Sequence, residues 1–380
     1  MKILLIGEYS RLHNSLKEGL IVLGHDVSIV SNGDGFKKYP IDFSIEAKFS
    51  YSKPLYLVRQ FFLKYFKFDF ASLEQGIRCY FLLPKLQGFD VVQLINERPI
   101  QTSFWLEKYL LKKIISHNKK MFLLSSGVDY ISVKFLLERK IEKSILNPYF
   151  KNPKAKSEYG YVFEYVSKKN KKLHQFVYDN CKGIIASDID YVLPLIGNKK
   201  YLGMVQNAVN HLKIEYQTPS IDSKIVVFLG VNQWNQYQKG ISYFKEALDS
   251  IKAKFQDKVE IVIAENLPYE VYIKSYDRAH ILLDQCYAYD QGYNGLEAMA
   301  KGKVVFTGAE NEFLEMYNLA ENEVCINAKA DVPYLVSQLI YLIENPEEIL
   351  RISKNARAFI EREHDYIMVA HKYLEVWEGK

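Results

Sequence analysis

Gly292-Tyr293-Asn294-Gly295-Leu296-Glu297-Ala298-Met299-Ala300-Lys301-Gly302-Lys303-Val304-Val305-Phe306 is the stretch that decides how this chain folds. A glycine-spaced turn leads into a helix-forming run from Leu296 to Lys301. Gly302 stops that run and an apolar strand follows. Such a unit leaves free backbone amides at a helix start, where an anion is welcome. Glu297 sets one carboxylate close to that anion. Like charges repel, so its natural partner is not a phosphate but the hydroxyls of an adjacent ribose. The implied ligand is a nucleoside diphosphate bearing a group to transfer. A plainer use competes for the same oxygens. Asn294-x-x-Glu297 is a capping-box spacing, worth about 1 kcal/mol to the helix, and spacing alone leaves both uses open.

Working outward, short apolar runs alternate with helical patterns, the mark of parallel α/β units. Lys2–Ile6, Val27–Val30, Val91–Leu94, Met121–Leu124 and Gly183–Ala186 read as strands of a first half, with a helix over Arg11–Leu23. The pattern restarts with strands at Lys224–Leu229, Val259–Ala264, Ile281–Leu283 and Val304–Thr307. Helices are expected at Ile241–Ile251, Leu296–Ala300 and Val332–Ile343, and one or two more over Pro346–Glu378. The seam falls near Asn207–Ser223, a polar stretch containing Pro219. Two nucleotide-fold halves place a cleft between the carboxyl ends of their strands, room for two substrates.

Composition bounds the class. The chain has 380 residues, 48% hydrophobic and 25% charged, enough for two α/β domains of an ordinary globular protein. No apolar run is long enough to span a membrane, and the amino-terminal Met1–Gly7 is too short for a signal-peptide core. Four scattered cysteines show no C-x-x-C spacing, which argues against zinc or a disulfide framework and fits a reducing cytoplasm. Charge is lopsided. Residues 1–200 carry 32 Lys+Arg against 19 Asp+Glu, and residues 201–380 carry 18 against 26. A basic first half is either solvated surface or a face toward an anionic membrane or acidic acceptor. No nucleic-acid motif accompanies it. Residues 51–70 form an aromatic stretch broken by Lys and Arg, either a core-packing helix with a charged outer face or a helix lying in a membrane interface.

Other residues carry chemistry by position. Gly230 to Gly240 is a long polar loop containing Asn232 and ending at Lys239, just before a helix. A lysine there opposes the helix macrodipole unless an anion sits between, so Lys239 is a phosphate candidate. The first strand ends in Gly7-Glu8-Tyr9-Ser10-Arg11, with a single glycine, so the dinucleotide fingerprint G-x-G-x-x-G is absent. Ser10 reads as a helix cap, and Arg11 can reach a phosphate or an acidic acceptor. Asp129, after strand Met121–Leu124, can bind a sugar hydroxyl or cap the next helix. No metal-binding, P-loop or Ser/His/Asp pattern stands out.

Gly295 to Val305 resembles the L-E-A-M-A-x-G-x-P-V-V signature of retaining GT-B glycosyltransferases, above all glycosyltransferase family 4. Val205–Asn210 is similar to that family's P-N-G-[IV]-D strand, Gly230 to Gly240 to its G-R…K-G loop, and Ala309–Glu312 falls at its G-G-x-x-E region. The resemblance implies a GT-B fold, two Rossmann-like domains facing each other across a cleft. Residues 1–205 would bind acceptor and 206–360 the nucleotide-sugar donor, with a C-terminal helix over 361–380 able to cross back to the first domain. It implies that Glu297 holds the donor ribose, that Lys239 meets the diphosphate, and that Asn232 and Gly292, Tyr293, Asn294, Gly295 and Leu296 line the donor site. Ser10 and Arg11 would serve the acceptor, and Asp129 would join Lys239 and Glu297 in catalysis. The implied reaction moves a sugar from a nucleotide-diphosphate donor, UDP- or GDP-linked, to a glycan or lipid-linked glycan acceptor with retention. It needs no further cofactor and no metal. The setting would be bacterial surface polysaccharide or glycolipid assembly, cytoplasmic or peripheral on the inner face of the membrane. A GT-B epimerase, or a degenerate protein that binds without turnover, are the alternatives. Departures from the pattern stand at Tyr289 (first glutamate of E-x7-E), Val231 (loop arginine), Lys303 (signature proline) and Ser126 (first-domain histidine).

Overall fold

In the computed structural model, which describes residues 1–35, 38–66, 68–265 and 269–379, two parallel sheets organise the chain. The first is built from β1 (Lys2–Ile6), β2 (Asp26–Ser31), β3 (Phe43–Ser44), β4 (Val91–Leu94), β5 (Lys120–Ser125), β6 (Ile184–Ala186) and β7 (Tyr201–Met204). Their spatial order is β3-β2-β1-β4-β5-β6-β7. The second holds β8 (Ile225–Val231), β9 (Val259–Glu265), β10 (Ile281–Leu283), β11 (Val304–Thr307) and β12 (Ile326–Asn327), in the order β12-β11-β10-β8-β9. Every strand pairing is parallel. Parallel strands covered by helices on both faces are apolar throughout rather than alternating. Ile3 to Ile6 and Val227 to Leu229 are accordingly buried without exception. This is the GT-B architecture.

The C-terminal segment is two helices, Pro346–Glu363 and Tyr366–Glu378. The second leaves the later sheet and packs on the helix Leu12–Val22 of the first half. Its Tyr366, Val369, Ala370, Tyr373 and Trp377 share one core with Ile3, Leu5, Leu16 and Leu20. Trp377 is buried and donates its indole N–H to Gln93 Oε1 at 3.1 Å. The fit depends on Gly19, where an added Cβ would stand 2.1 Å from the Tyr366 carbonyl oxygen and 2.8 Å from Ala370 Cβ.

Three sequence expectations shift. Val205–Asn210 is not a strand, because β7 ends at Met204 and Val209 makes only a single bridge to Asp365. The helix expected from Leu296 begins at Tyr293, since Gly295 is tolerated inside its first turn. The aromatic stretch 51–70 does not pack into a core. Its helix Lys53–Phe66 has no buried residue, and Lys67 lies outside the described residues.

Alanine is the better helix former by up to about 1 kcal/mol, so on propensity alone Gly19→Ala would stabilise. Backbone oxygen cannot yield as a side chain can, and the crossing helix must move. Gly19→Ala is therefore expected to lower the melting temperature, at a net cost of about 1–3 kcal/mol, measured by thermal and urea unfolding.

Candidate functional site

The carboxyl ends of β8, β10 and β11 converge on the start of the helix Tyr293–Ala300. After β8 the loop runs through Asn232 and a short helix, Gln236–Lys239, to Gly240. Gly240 has φ 72°, and a Cβ there would lie 3.1 Å from Cys286 Cβ, so conformation and close packing both favour glycine. The Lys239 carbonyl accepts the Cys286 amide at 2.9 Å, which pins this loop to the segment following β10. Asp284, the first residue beyond β10, is buried and accepts from Lys239 Nζ at 2.6 Å. Asp284 Oδ2 is also 3.7 Å from the position of a Cβ at Gly295. The lysine is thus held beside the first turn of the Tyr293 helix.

That turn is open in the way an anion site needs. Its N-cap is Gly292, in extended conformation with no side-chain cap. Asn294 therefore sits inside the helix rather than at its cap, and the Asn294/Glu297 capping box does not form. Among the described residues the Glu297 side chain makes no hydrogen bond or ion pair. It is half-buried, and its charge is felt by Tyr39, Tyr276 and Tyr293, whose hydroxyls burial has already pushed up. Thr307 Oγ1 is buried without a partner and lies 3.8 Å from the same Gly295 position. The first half closes one side, with Ser15 Oγ 2.7 Å from the Tyr293 hydroxyl.

The structure gathers Lys239, Gly292, Tyr293, Asn294, Gly295, Leu296 and Glu297 at one edge, Leu296 by backbone only since its side chain is buried. Asn232 stands exposed on the loop and accepts from the Trp234 amide at 3.0 Å. Asp129 is otherwise engaged. It caps the helix Tyr130–Leu137 through Ser132 and accepts from Ser125 Oγ, so both oxygens are used locally. Of its two sequence readings, the helix cap is the one that forms. Ser10 is not a helix cap. Glu8 takes that role, accepting from the His13 amide at 3.3 Å and the Asn14 amide at 2.9 Å. Burial raises the Glu8 carboxyl to about 7, against the lowering effect of the Asn14 and His13 bonds. Arg11 is ion-paired with Glu18 at 2.8 Å.

Two features had no sequence signal. Lys143, from a lysine-rich loop of the first half, reaches the second sheet and meets Glu310 at 2.5 Å and the Ala328 carbonyl at 3.0 Å. Asp188 and Asp190 of the first half meet Asp290 of the second, their carboxylate oxygens within 4.8 Å of one another. Asp290 accepts the Ile189 amide and Asp190 accepts the Tyr289 amide, each at 3.0 Å. Three acids on scattered motifs cannot be seen as a cluster until the halves meet. A hard cation could bind such a set. Protons can also relieve it. Burial raises Asp188 to about 8 and Asp190 to about 6, and it holds Asp290 well above the carboxylate range. The departures also have structural uses. Lys303 is buried and donates to the carbonyls of Asp277 and Ala279, closing the end of the helix Tyr269–Asp277.

A raised carboxyl pKa means the folded state prefers the protonated form. Its stabilising contribution is present at low pH and is lost as pH rises from about 4 toward about 8 for Asp188. Lys143, Glu310, Tyr191, Tyr317 and His364 also face this region. Asp188→Asn should stabilise the protein at pH 8 by on the order of 1 kcal/mol and change little at pH 4.5, read from melting temperature across that range. A loss of stability at pH 8 would contradict the assignment.

Residues 226–375 match the family model described as glycosyl transferase-like. No curated protein matches the chain in sequence. Among solved structures, the chain is similar to sucrose-phosphate synthase from Thermosynechococcus elongatus, with a TM-score of 0.60 at 12% identity over 100% of this chain and 99% of that one. It is similar to Anabaena Alr3699/HepE, solved with UDP, with a TM-score of 0.58 at 13% identity over the whole of both chains. A glycosyltransferase from Rickettsia africae superposes with a TM-score of 0.52 at 16% identity, over 99% of this chain and 97% of that one. Fold and family match converge: the chain has the GT-B fold, and its residues 226–375 match the glycosyl transferase-like family model.

Proposed function

We propose that this protein is a glycosyltransferase that takes a sugar from a nucleoside-diphosphate donor and passes it, with retention, to a glycan or lipid-linked glycan hydroxyl. One observation carries the reading. Lys239 is held at 2.6 Å by Asp284 beside an uncapped helix start, with an unpartnered Glu297 in the same helix. In transfer, the bond from the anomeric carbon to the diphosphate oxygen breaks. The acceptor hydroxyl oxygen bonds to that carbon on the same face and passes its proton to the departing diphosphate oxygen. Negative charge grows on the departing diphosphate, where the amides at Gly292–Gly295 and the Lys239 ammonium would meet it. Fixed donors of this kind are worth about 10²–10³ in rate each. Glu297 would accept the ribose hydroxyls. UDP is the first nucleotide to test, because HepE of similar fold was solved with UDP and with UDP-glucose.

Tyr289 favours a second reading. It is buried where the family's first glutamate stands, and the neighbouring Asp290 is spent on the Ile189 amide. That arrangement suits a protein that binds a sugar nucleotide without turning it over.

A panel of nucleotide sugars with candidate acceptors separates these. At a hundredfold excess over its dissociation constant, the right nucleotide stabilises the fold by about 2.7 kcal/mol. Lys239→Ala and Glu297→Ala should each weaken that binding by roughly tenfold or more, corresponding to about 1.5–3 kcal/mol for a lost charged hydrogen bond. No melting shift with uridine, guanosine or adenosine diphosphates would overturn both readings. A shift without product under any acceptor would leave the second. Conversion of the donor sugar with no acceptor present would point to an epimerase.

A further inference from the structure

We propose that the outer face of the first half, centred on the helix Lys53–Phe66, docks this protein on an anionic lipid bilayer. This helix is rich in apolar and aromatic side chains, yet none is buried. Leu57, Phe61 and Tyr65 follow one another at intervals of four and so stand in line along the helix, 76%, 52% and 62% exposed. The Phe61 and Tyr65 rings lie 4.9 Å apart. The next helix, Phe70–Leu82, meets this one through the Phe62 and Phe70 rings, 4.8 Å apart, and it and the helix Phe104–Ser116 carry further exposed rings, Phe81 and Trp105, 74% and 68% exposed. Tyr80 and Tyr109 stack across these two helices with centroids 6.3 Å apart. Large apolar side chains exposed in such number, with rings in contact along and between helices, mark an interaction site rather than ordinary scatter.

Charge selects the occupant. Lys53, Lys64, Lys85, Lys108 and Lys112 are exposed on the same three helices and their connections. The acids of this region are turned inward. Asp69 caps the Ala71 amide and is paired with Arg59 at 2.6 Å. Glu74 accepts the amides of Lys48, Phe49 and Ser50 and is paired with Arg78 at 2.9 Å. Glu107 is buried on the Ile100 and Thr102 amides. What remains outward on these helices is apolar bulk and ammonium groups. A second copy of this chain would bring the same positive charge to the same face. An anionic bilayer answers both features, with phosphates for the lysines and acyl chains for Leu57 and Phe61. The helix has 14 residues, too short to cross the hydrocarbon, and no helix among the described residues is long and apolar enough to do so. It lies along the surface.

Flotation with vesicles of phosphatidylcholine containing roughly a third phosphatidylglycerol, against pure phosphatidylcholine, tests this directly. The protein should float with the anionic vesicles at about 0.1 M salt and lose at least about tenfold in binding at 0.5 M, where charge is screened. The double variant Leu57→Glu/Phe61→Glu should bind at least about tenfold more weakly, with an unchanged melting temperature because both side chains are exposed. Its response to nucleotide should be intact, which separates this surface from the donor cleft. Protein that stays with the lipid-free fraction, or a variant that floats like the parent, overturns the proposal. So does a lipid-indifferent dimer that the variant splits into monomers, since a second copy would then cover the face.

Discussion

The ion pair between Lys239 and Asp284 is the constraint around which the second half is arranged. A lysine at the end of a loop would ordinarily sweep through solvent. Here three fixtures hold it: the buried carboxylate beyond β10, the bond from the Cys286 amide to its own carbonyl, and the positive φ that only Gly240 accepts cheaply. The ordering cost is met during folding rather than when ligand arrives, the condition under which a cation is most effective toward developing negative charge. Asp284 also keeps the ammonium compensated while no anion is present. An arriving diphosphate has to outbid that carboxylate, and the uncapped amides of the Tyr293 helix supply the difference in the proposed mechanism.

The two halves are joined by contacts of unlike character. The C-terminal helix is an apolar fit, with Trp377 and Ala370 completing the first core over Gly19. Lys143 crosses to Glu310 as a charged strut. Asp188, Asp190 and Asp290 form a contact that burial makes costly unless protons are shared. Apolar contact between the halves continues where Leu12, Ile95 and Ile189 of the first share a cluster with Tyr289, Tyr293 and Leu296 of the second.

Much of this was legible in the sequence. Parallel strands announce themselves as continuous apolar runs, and those of the two sheet centres fell where the runs did. The edge strands β3 and β12 have two residues each, too short for any periodic signal. The local geometry of the candidate residues was legible where a local rule governs it: glycines, a helix start and a loop lysine all act within a few residues. It failed where the partner is remote. The Glu297 spacing fits a cap and a ribose equally, and only the position of Gly292 as N-cap decides against the cap. Asp129 looked the same whether its oxygens faced a sugar or Ser125 and Ser132. Lys143 and the three aspartates belong to no motif, since each gains meaning only from residues at least a hundred positions away or on the other sheet.

A crystal structure of the protein with UDP tests the central claim most directly. The expected result has phosphate oxygens within hydrogen-bond distance, about 2.7–3.2 Å, of Lys239 Nζ and the amides between Gly292 and Gly295, with the ribose hydroxyls on Glu297. UDP seated elsewhere, or bound there while Lys239 stays paired only with Asp284 and Glu297 faces solvent, would contradict it.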